Sequence, residues 1–171
     1  MPIVSEKMIL DEVNQSDIPI GRVRREDVFA KHAGFRVAHV LIFNSLGELL
    51  IQRLALSRKR NPGAWGSSVA AYLFASESYQ MAASRRVGEE LGCEAHQLAF
   101  IGKTEMVDDG CLKFISVFTA RCDGPFIVDG SQIEMIEFVP RFLIQKMIND
   151  HSRQFTPTFL HVFDYFQSKF R

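Results

Sequence analysis

The stretch that decides the fold runs from Ala82 to Cys93 and reads AASRRVGEELGC. It lies within a predicted amphipathic helix over residues 77–91. Apolar side chains recur every four residues along that segment, at Tyr79, Ala83, Val87 and Leu91. Such a period places them on one face of an α-helix, so the pattern predicts a helix that packs against a core.

Both ends of this predicted helix carry capping signals. Ser76 is a suitable N-cap, and Glu77 in the first turn suits the positive end of the helix dipole. Gly92 stands where a C-terminal cap belongs. Gly88 lies inside the helix and costs about 0.5–1 kcal/mol relative to alanine, which a helix of this length tolerates.

Charged side chains gather on one face of the helix. Positions three and four apart are neighbours on a helix, so residues 86, 89 and 90 cluster. Glu89 and Glu90 are carboxylates, and Mg²⁺ prefers a few carboxylates together with substrate phosphate. Adjacent acids on a solvated helix face are also common, and spacing alone favours that interpretation over a metal site.

Bulk composition limits the classes of function. The chain has 171 residues, of which 47% are hydrophobic, and this suits one domain with a sizeable core. Its 20 basic and 20 acidic side chains cancel, so no global field attracts nucleic acid polymers or an anionic membrane. The N-terminus lacks a secretory signal pattern. Three cysteines without CxxC spacing indicate a reduced, cytoplasmic setting.

The order of the other predicted elements fits a mixed sheet between helices, a fold of the α/β (α+β) class. Residues 7–13 and 18–24 flank the turn NQSD and predict an N-terminal β-hairpin, and residues 25–32 predict a short helix. Residues 55–66 form a predicted loop with three basic side chains. Further strands are predicted over residues 35–44, 48–53, 67–74, 98–106, 112–122 and 133–140, followed by helices over residues 140–151 and 157–170.

The spacing around the helix closely resembles the Nudix box, GX5EX7REUXEEXGU, in which U is a bulky aliphatic residue. Glu77 is followed after seven residues by Arg85, and then by Glu89, Glu90 and Gly92. The resemblance implies a Nudix-type α/β/α sandwich with a mixed sheet. It further implies a Nudix domain over residues 35–171, with the box at 71–93, and an N-terminal β-hairpin extension over residues 1–34.

The box departs from the family pattern at three positions. Ala71 replaces the first glycine, Arg86 replaces the glutamate after the arginine, and Cys93 replaces the last aliphatic residue. Arg86 can fork onto Glu89 or Glu90, since arginine and carboxylate pair readily. A divalent cation would have to displace that ion pair, so metal affinity should fall.

Part of the chain also resembles type I isopentenyl diphosphate isomerase, a relative with the Nudix fold. The shared stretch is LSRKRNPGAWGSSVAAYLFASESYQMAASRR, and the doubled Arg85-Arg86 is an isomerase-like trait. The catalytic cysteine of the isomerase falls on Ala70, and its metal-binding histidine falls on Tyr72. Both departures argue against isomerase chemistry.

The box resemblance implies roles for individual residues. Glu89 and Glu90 become the predicted catalytic residues and the ligands of Mg²⁺ or Mn²⁺, with Glu134 as a candidate third ligand. Arg53 and Arg58 are candidate diphosphate-binding residues, although ordinary solvated charge is the competing interpretation. Three further box residues are expected to orient the helix: Glu77, Arg85 and Gly92. Other acids that could complete the metal site are Glu105, Asp108, Asp109 and Asp129.

These expectations combine into three hypotheses about function. The first is a metal-dependent hydrolase of a nucleoside diphosphate linked to another group, or of a similar small-molecule diphosphate, with activity reduced by Arg86. The second is a non-catalytic Nudix-fold module that binds a nucleotide or a partner in the old cleft. The third, which is disfavoured, is isomerase-like chemistry. The N-terminal hairpin is also a candidate edge for a homodimer through strand pairing.

Overall fold

The computed structural model describes residues 8–94 and 97–171, so residues 1–7 of the predicted N-terminal extension lie outside the described part. Within these ranges the chain forms nine strands, three α-helices and a 3-10 turn. They are β1 Ile9–Val13, β2 Pro19–Arg24, the 3-10 turn Arg25–Asp27, β3 Phe35–Phe43, β4 Leu49–Leu54, β5 Trp65–Gly66, β6 Val69–Tyr72, α1 Tyr79–Leu91, β7 Ala99–Asp108, β8 Cys111–Arg121, β9 Ile133–Val139, α2 Arg141–Asn149 and α3 Pro157–Lys169.

The main sheet is mixed, as the sequence predicts. Its strands follow the order β5-β4-β3-β8-β7, with β6 also paired to β3 and β9 paired to β4. The pair β3 and β8 is parallel, whereas the other pairs are antiparallel. Strands β1 and β2 form a separate antiparallel hairpin, which confirms the predicted N-terminal element.

Helices cover both faces of this sheet. Side chains of β3 alternate between the two faces, as the period of a strand requires. Val37 and Leu41 join a core that includes buried residues of α2 and α3. Ala38 and Val40 join a second core on the opposite face, beneath the apolar stripe of α1. The arrangement is the predicted α/β/α sandwich. Among the described residues, no helix is both long and apolar enough to cross a membrane.

Helix α1 begins two residues later than the sequence predicts. Its N-cap is Ser78, whose hydroxyl accepts a hydrogen bond from the Met81 amide at 3.1 Å. Ser76 instead has a positive φ of 68° and lies before the helix. Gly92 is the predicted C-cap, with a left-handed φ of 61°, and its amide donates to the Gly88 carbonyl.

Two other local predictions hold only in part. The short helix predicted over residues 25–32 is confined to a 3-10 turn at Arg25–Asp27, and turns follow it before β3 begins. The predicted loop over residues 55–66 ends in a two-residue strand, Trp65–Gly66, which pairs with β4. This short pairing holds the loop against the sheet, and its basic residues therefore lie beside α1.

Candidate functional site

A cavity of about 460 Å³ lies between α1, the sheet and the loop over residues 55–66. Among the described residues, seven basic side chains line it, against two acidic ones. The acids are Glu26 and Glu90, and the basic residues are Arg25, Arg58, Lys59, Arg60, Arg85, Arg86 and Lys113. A cavity with this imbalance favours an anionic ligand, even though the whole chain carries no net charge.

Glu90 is the buried acid of this cavity. It is 2% exposed, and its Oε2 accepts a hydrogen bond from Nε2 of Gln52 at 3.1 Å. Its Oε1 lies 2.6 Å from Nε of Arg86, one helical turn earlier. Burial raises the pKa of Glu90 above the usual glutamate value, and Arg86, Gln52 and Arg58 only partly offset this effect.

Glu89 has different surroundings although it is the next residue. It is exposed and does not line the cavity. Both of its carboxylate oxygens lie 3.3 Å from Nη1 of Arg85, and its Oε2 lies 3.0 Å from Nη1 of Arg86. The predicted cluster of residues 86, 89 and 90 therefore exists, but Arg86 occupies its centre and pairs with both carboxylates.

Arg85 and Glu77 fix the start of α1 on the sheet. Nε and Nη2 of Arg85 donate to the two carboxylate oxygens of Glu77 at 2.8 and 3.0 Å, and Nη2 also donates to the Tyr72 carbonyl at 2.9 Å. Oε2 of Glu77 in turn accepts from the Phe74 amide at 2.8 Å. This bidentate ion pair ties α1 to the end of β6, an orienting role for both residues.

Arg58 extends into the cavity, whereas Arg53 does not. Burial lowers the pKa of Arg58, and the positive charges of Arg25 and Arg86 add to this effect, against the attraction of Glu90. Within the described part of the chain, the Arg58 guanidinium has no hydrogen-bond or ion-pair partner at contact distance. The Arg53 side chain lies outside the cavity lining, and its Nε donates to the Gly63 carbonyl at 3.0 Å. Its substrate-binding role stays a prediction.

The sequence did not single out Arg25, Arg60 or Lys113 for this cavity. The Arg25 guanidinium lies 4.2 Å from the centre of the Tyr72 ring, and that of Arg60 lies 3.9 Å from the Phe29 ring centre. Arg60 and Lys113 both pair with Asp108, at 2.8 and 2.7 Å. No spacing rule links these residues, since they come from the 3-10 turn, the loop and β8.

The floor of the cavity contains a buried histidine. Nδ1 of His39 lies 2.8 Å from the Ser67 hydroxyl, and His39 is 4% exposed. Burial lowers the pKa of His39 to about 3, with smaller contributions from Lys113 and His161. His39 is therefore neutral near pH 7, as expected for a core histidine with a satisfied hydrogen bond.

The side chains around Glu90 do not fit the Mg²⁺ or Mn²⁺ that the box resemblance implies. No group of three or more His, Cys, Asp or Glu among the described residues converges to hold a metal ion. Glu134, the predicted third ligand, is exposed on β9 and lies outside the cavity lining. Oε1 of Gln52 is buried without a described partner, but one neutral oxygen does not offset the guanidinium already paired with Glu90.

Comparison with known proteins identifies one family. The family model of the NUDIX domain matches residues 34–159. An uncharacterized Nudix hydrolase of Pseudomonas aeruginosa is 30% identical over 135 residues, which cover 79% of this chain and 80% of that protein.

An isomerase and a solved structure are also similar. The isopentenyl-diphosphate Delta-isomerase 2 of Photorhabdus laumondii is 25% identical over 155 residues, with 88% of each chain covered. The crystal structure of the protein DR0079 from Deinococcus radiodurans superposes with a TM-score of 0.78 and 23% identity, over 95% of this chain and 99% of the other. This structural likeness supports the sandwich fold.

Proposed function

This chain belongs to the Nudix hydrolase family, and from that premise we propose that it hydrolyses the diphosphate bridge of a small molecule. The substrate class is a nucleoside diphosphate linked to another group, or a similar diphosphate. The observation that carries the proposal is the basic cavity that faces the buried carboxylate of Glu90. Such a cavity offers positive charge for two phosphoryl groups and one buried acid beside them.

Arg25 and Arg58 supply the proposed binding charge. Arg25 stacks on Tyr72, and within the described part of the chain no hydrogen bond or ion pair engages the Arg58 guanidinium. Guanidinium groups present several N–H donors in a planar fork that matches phosphate oxygens. Bound in this position, the diphosphate would have its negative charge neutralised before the reaction begins, and further charge that develops on the leaving phosphate would be stabilised.

Glu90 is the proposed general base. A water molecule would attack one phosphorus and the bridging P–O bond would break, with the water proton passing to Glu90. The raised pKa of Glu90 brings its basicity closer to neutral pH, which favours proton transfer. A positioned general base contributes about 10²–10⁴-fold. The side chains around Glu90 do not fit the metal that the family implies, so we expect slow turnover. The proposed steps use only side chains of this protein.

A second candidate function is a binding module without catalysis. The observation that favours it is the distance of 2.6 Å between Nε of Arg86 and Oε1 of Glu90. This ion pair reduces the availability of the carboxylate as a base and as a metal ligand. The basic cavity would then bind a nucleotide or a diphosphate without cleaving it.

Isomerase chemistry has less support than either. Ala70 and Tyr72 line the cavity at the positions where the isomerase resemblance requires a cysteine and a histidine. None of the three cysteines lines the cavity among the described residues, so no described thiol replaces the missing group.

A panel of nucleoside diphosphate sugars and related diphosphates separates the two main candidates. Product release is measured by chromatography in Mg²⁺, in Mn²⁺ and in EDTA, with binding followed in parallel by calorimetry. The hydrolase proposal expects slow release that Glu90→Gln lowers by about 10²-fold or more. Asp164→Asn is the matched control, because it also neutralises one carboxylate but lies exposed on α3.

The outcomes distinguish the candidates. Binding of a diphosphate without product release under any of the three conditions would replace the hydrolase with the binding module. Release at the same rate in Glu90→Gln would remove Glu90 as the base. Absence of both binding and release across the panel would contradict both candidates.

Two further predictions accompany this proposal. The hairpin of β1 and β2 remains a candidate dimer edge, with Ile18 and Ile20 exposed at 55% and 62%. Light scattering tests it, and a monomeric mass at high protein concentration would remove it. The reduced, cytoplasmic setting also stays a prediction, which localisation of the tagged protein in its native cell would check.

A further inference from the structure

We infer that the guanidinium of Arg86 takes the place of a divalent cation in this cavity, so that the protein binds a diphosphate without metal. The inference rests on the diphosphate binding proposed above and adds how the charge of the ligand is neutralised. It concerns binding alone and holds whether or not the bound diphosphate is cleaved.

Arg86 is placed as a shared cation between two acids. Its Nε lies 2.6 Å from Oε1 of Glu90, and its Nη1 lies 3.0 Å from Oε2 of Glu89. Its side chain is only 19% exposed, and it lines the cavity. A divalent cation in a carboxylate site would have a similar position, in contact with the acids of α1 and with the ligand.

The carboxylates are already engaged by other donors. Oε2 of Glu90 accepts from Gln52, and Oε1 of Glu89 is paired with Arg85. A metal ion would therefore have to displace several charge-assisted contacts and then tolerate the positive charge of Arg86. The cation of this site is therefore a side chain of the protein. The free energy needed to place it beside the two acids is supplied when the chain folds.

Arg86 retains hydrogen-bonding capacity toward the cavity. A guanidinium carries five N–H donors, and the two described acidic partners engage only the Nε and Nη1 atoms. Nη2 has no partner among the described residues. Its donors suit phosphate oxygens, because a planar guanidinium can contact two oxygens of one phosphoryl group.

Neighbouring cations make a bound anion favourable. Arg58 experiences the positive charges of Arg25 and Arg86 as well as the negative charge of Glu90. All three arginines line the same cavity, and the charges of Arg25 and Arg86 both oppose that of Arg58. A diphosphate bound among them would relieve this repulsion, without any additional metal.

Calorimetric titration with inorganic pyrophosphate and with ADP tests the inference on the full chain, in EDTA and in excess Mg²⁺. We expect the wild-type chain to bind in EDTA at least as tightly as in Mg²⁺, because Mg²⁺ complexes the ligand and removes charge that the arginines recognise. Arg86→Gln keeps hydrogen-bond donors but loses the charge, and should weaken binding in EDTA by about 10-fold or more. Arg86→Lys should give an intermediate affinity, since the charge remains and the fork is lost.

Arg121→Gln is the control, because it removes one positive charge from an exposed position at the end of β8. Thermal melting checks that every variant is folded. If Arg86→Gln does not fold, the affinity of Arg86→Lys still tests the inference. Binding that occurs only with Mg²⁺ would overturn the inference while the proposed function stands. Binding in EDTA that Arg86→Gln leaves unchanged would also overturn it, whereas loss of hydrolysis alone would contradict only the hydrolase proposal.

Discussion

Nε of Arg86 lies 2.6 Å from Oε1 of Glu90. The Nudix box has a glutamate at position 86, but in this chain the residue there is the counter-ion of Glu90, one helical turn further on. The pair is largely removed from water, since Glu90 is 2% exposed. Breaking one side of a buried ion pair leaves an uncompensated charge, which proteins tolerate poorly. The properties of this site therefore depend on which charge stands at position 86.

Replacement of Arg86 by glutamate should convert the site from a metal-free to a metal-responsive one. Three acids would then face one remaining arginine, Arg85, on this helix face. We expect the melting temperature of Arg86→Glu to fall below that of the wild type without metal, because Glu90 loses its partner. Added Mn²⁺ or Mg²⁺ should raise it again by mass action.

Arg86→Gln serves as the comparison for that experiment, since it removes the cation without adding a carboxylate and should show no metal response. Differential scanning fluorimetry across a metal titration measures both variants. If metal leaves the melting temperature of Arg86→Glu unchanged, the site has diverged at more positions than the box shows.

Arg58→Gln should weaken pyrophosphate binding by about 10- to 100-fold, which is the range for loss of one charged hydrogen bond. The physical reason is that this guanidinium lines the cavity without a contact partner among the described residues. Equilibrium titration checks the loss, with Arg121→Gln as a variant of equal charge change. Equal affinities for the two variants would mean that Arg58 is an ordinary loop charge.

Two glycines at the end of α1 should respond in opposite directions to alanine. A Cβ atom at Gly88 would meet nothing within 4 Å, so Gly88→Ala should stabilise the fold by about 0.5–1 kcal/mol. Gly92 has φ of 61°, and a Cβ there would lie 2.8 Å from Cβ of Ile127. Gly92→Ala should therefore destabilise it by about 1–2 kcal/mol or more. Urea unfolding of the two variants measures both effects, and a change of the same sign would contradict the assignment of Gly92 as the cap.

Stability should fall as the pH decreases, because of His39. Its pKa is 6.5 in an unstructured chain and about 3 in the fold, so between these values the unfolded chain binds the proton and the folded chain does not. This contribution to stability is complete above the unfolded pKa and is lost progressively below it, by about 2 kcal/mol at about pH 5.

His39→Asn tests this prediction, since asparagine can still contact Ser67 but does not titrate. Urea unfolding at about pH 5 and about pH 7.5 should show a smaller loss of stability in the variant than in the wild type, by about the same 2 kcal/mol. The prediction fails if both proteins lose stability equally.

Much of the fold could be predicted from local sequence patterns, because helices and strands each repeat with a fixed period. The four-residue recurrence from Tyr79 to Leu91 predicted the buried stripe of α1, and Ala83, Val87 and Leu91 are indeed buried. The start of the helix was predicted wrongly because Ser76 and Ser78 are both suitable caps. In the structure Ser78 is the cap, and Glu77 lies before the helix, where its carboxylate accepts from the Phe74 amide and from Arg85.

The site was less accessible to prediction, because its members come from distant segments. Strand alternation implies that Gln52 and Arg53 face opposite ways, but it does not indicate which of them faces the cavity. The structure places Gln52 against Glu90 and directs Arg53 to the Gly63 carbonyl. Arg25, Arg60 and Lys113 carry no shared motif, and only the packing of the 3-10 turn, the loop and β8 brings them together.

The sequence by itself determined the helix, its face with residues 86, 89 and 90, and the family, because spacing along one helix fixes which side chains are neighbours. Only the tertiary structure decided that Glu90 is buried against Gln52 while Glu89 is exposed. Adjacent helical residues point in directions about 100° apart, and the position of the sheet decides which of them is removed from water. That difference in solvation separates the two acids, and it leaves Arg86 as the cation between them.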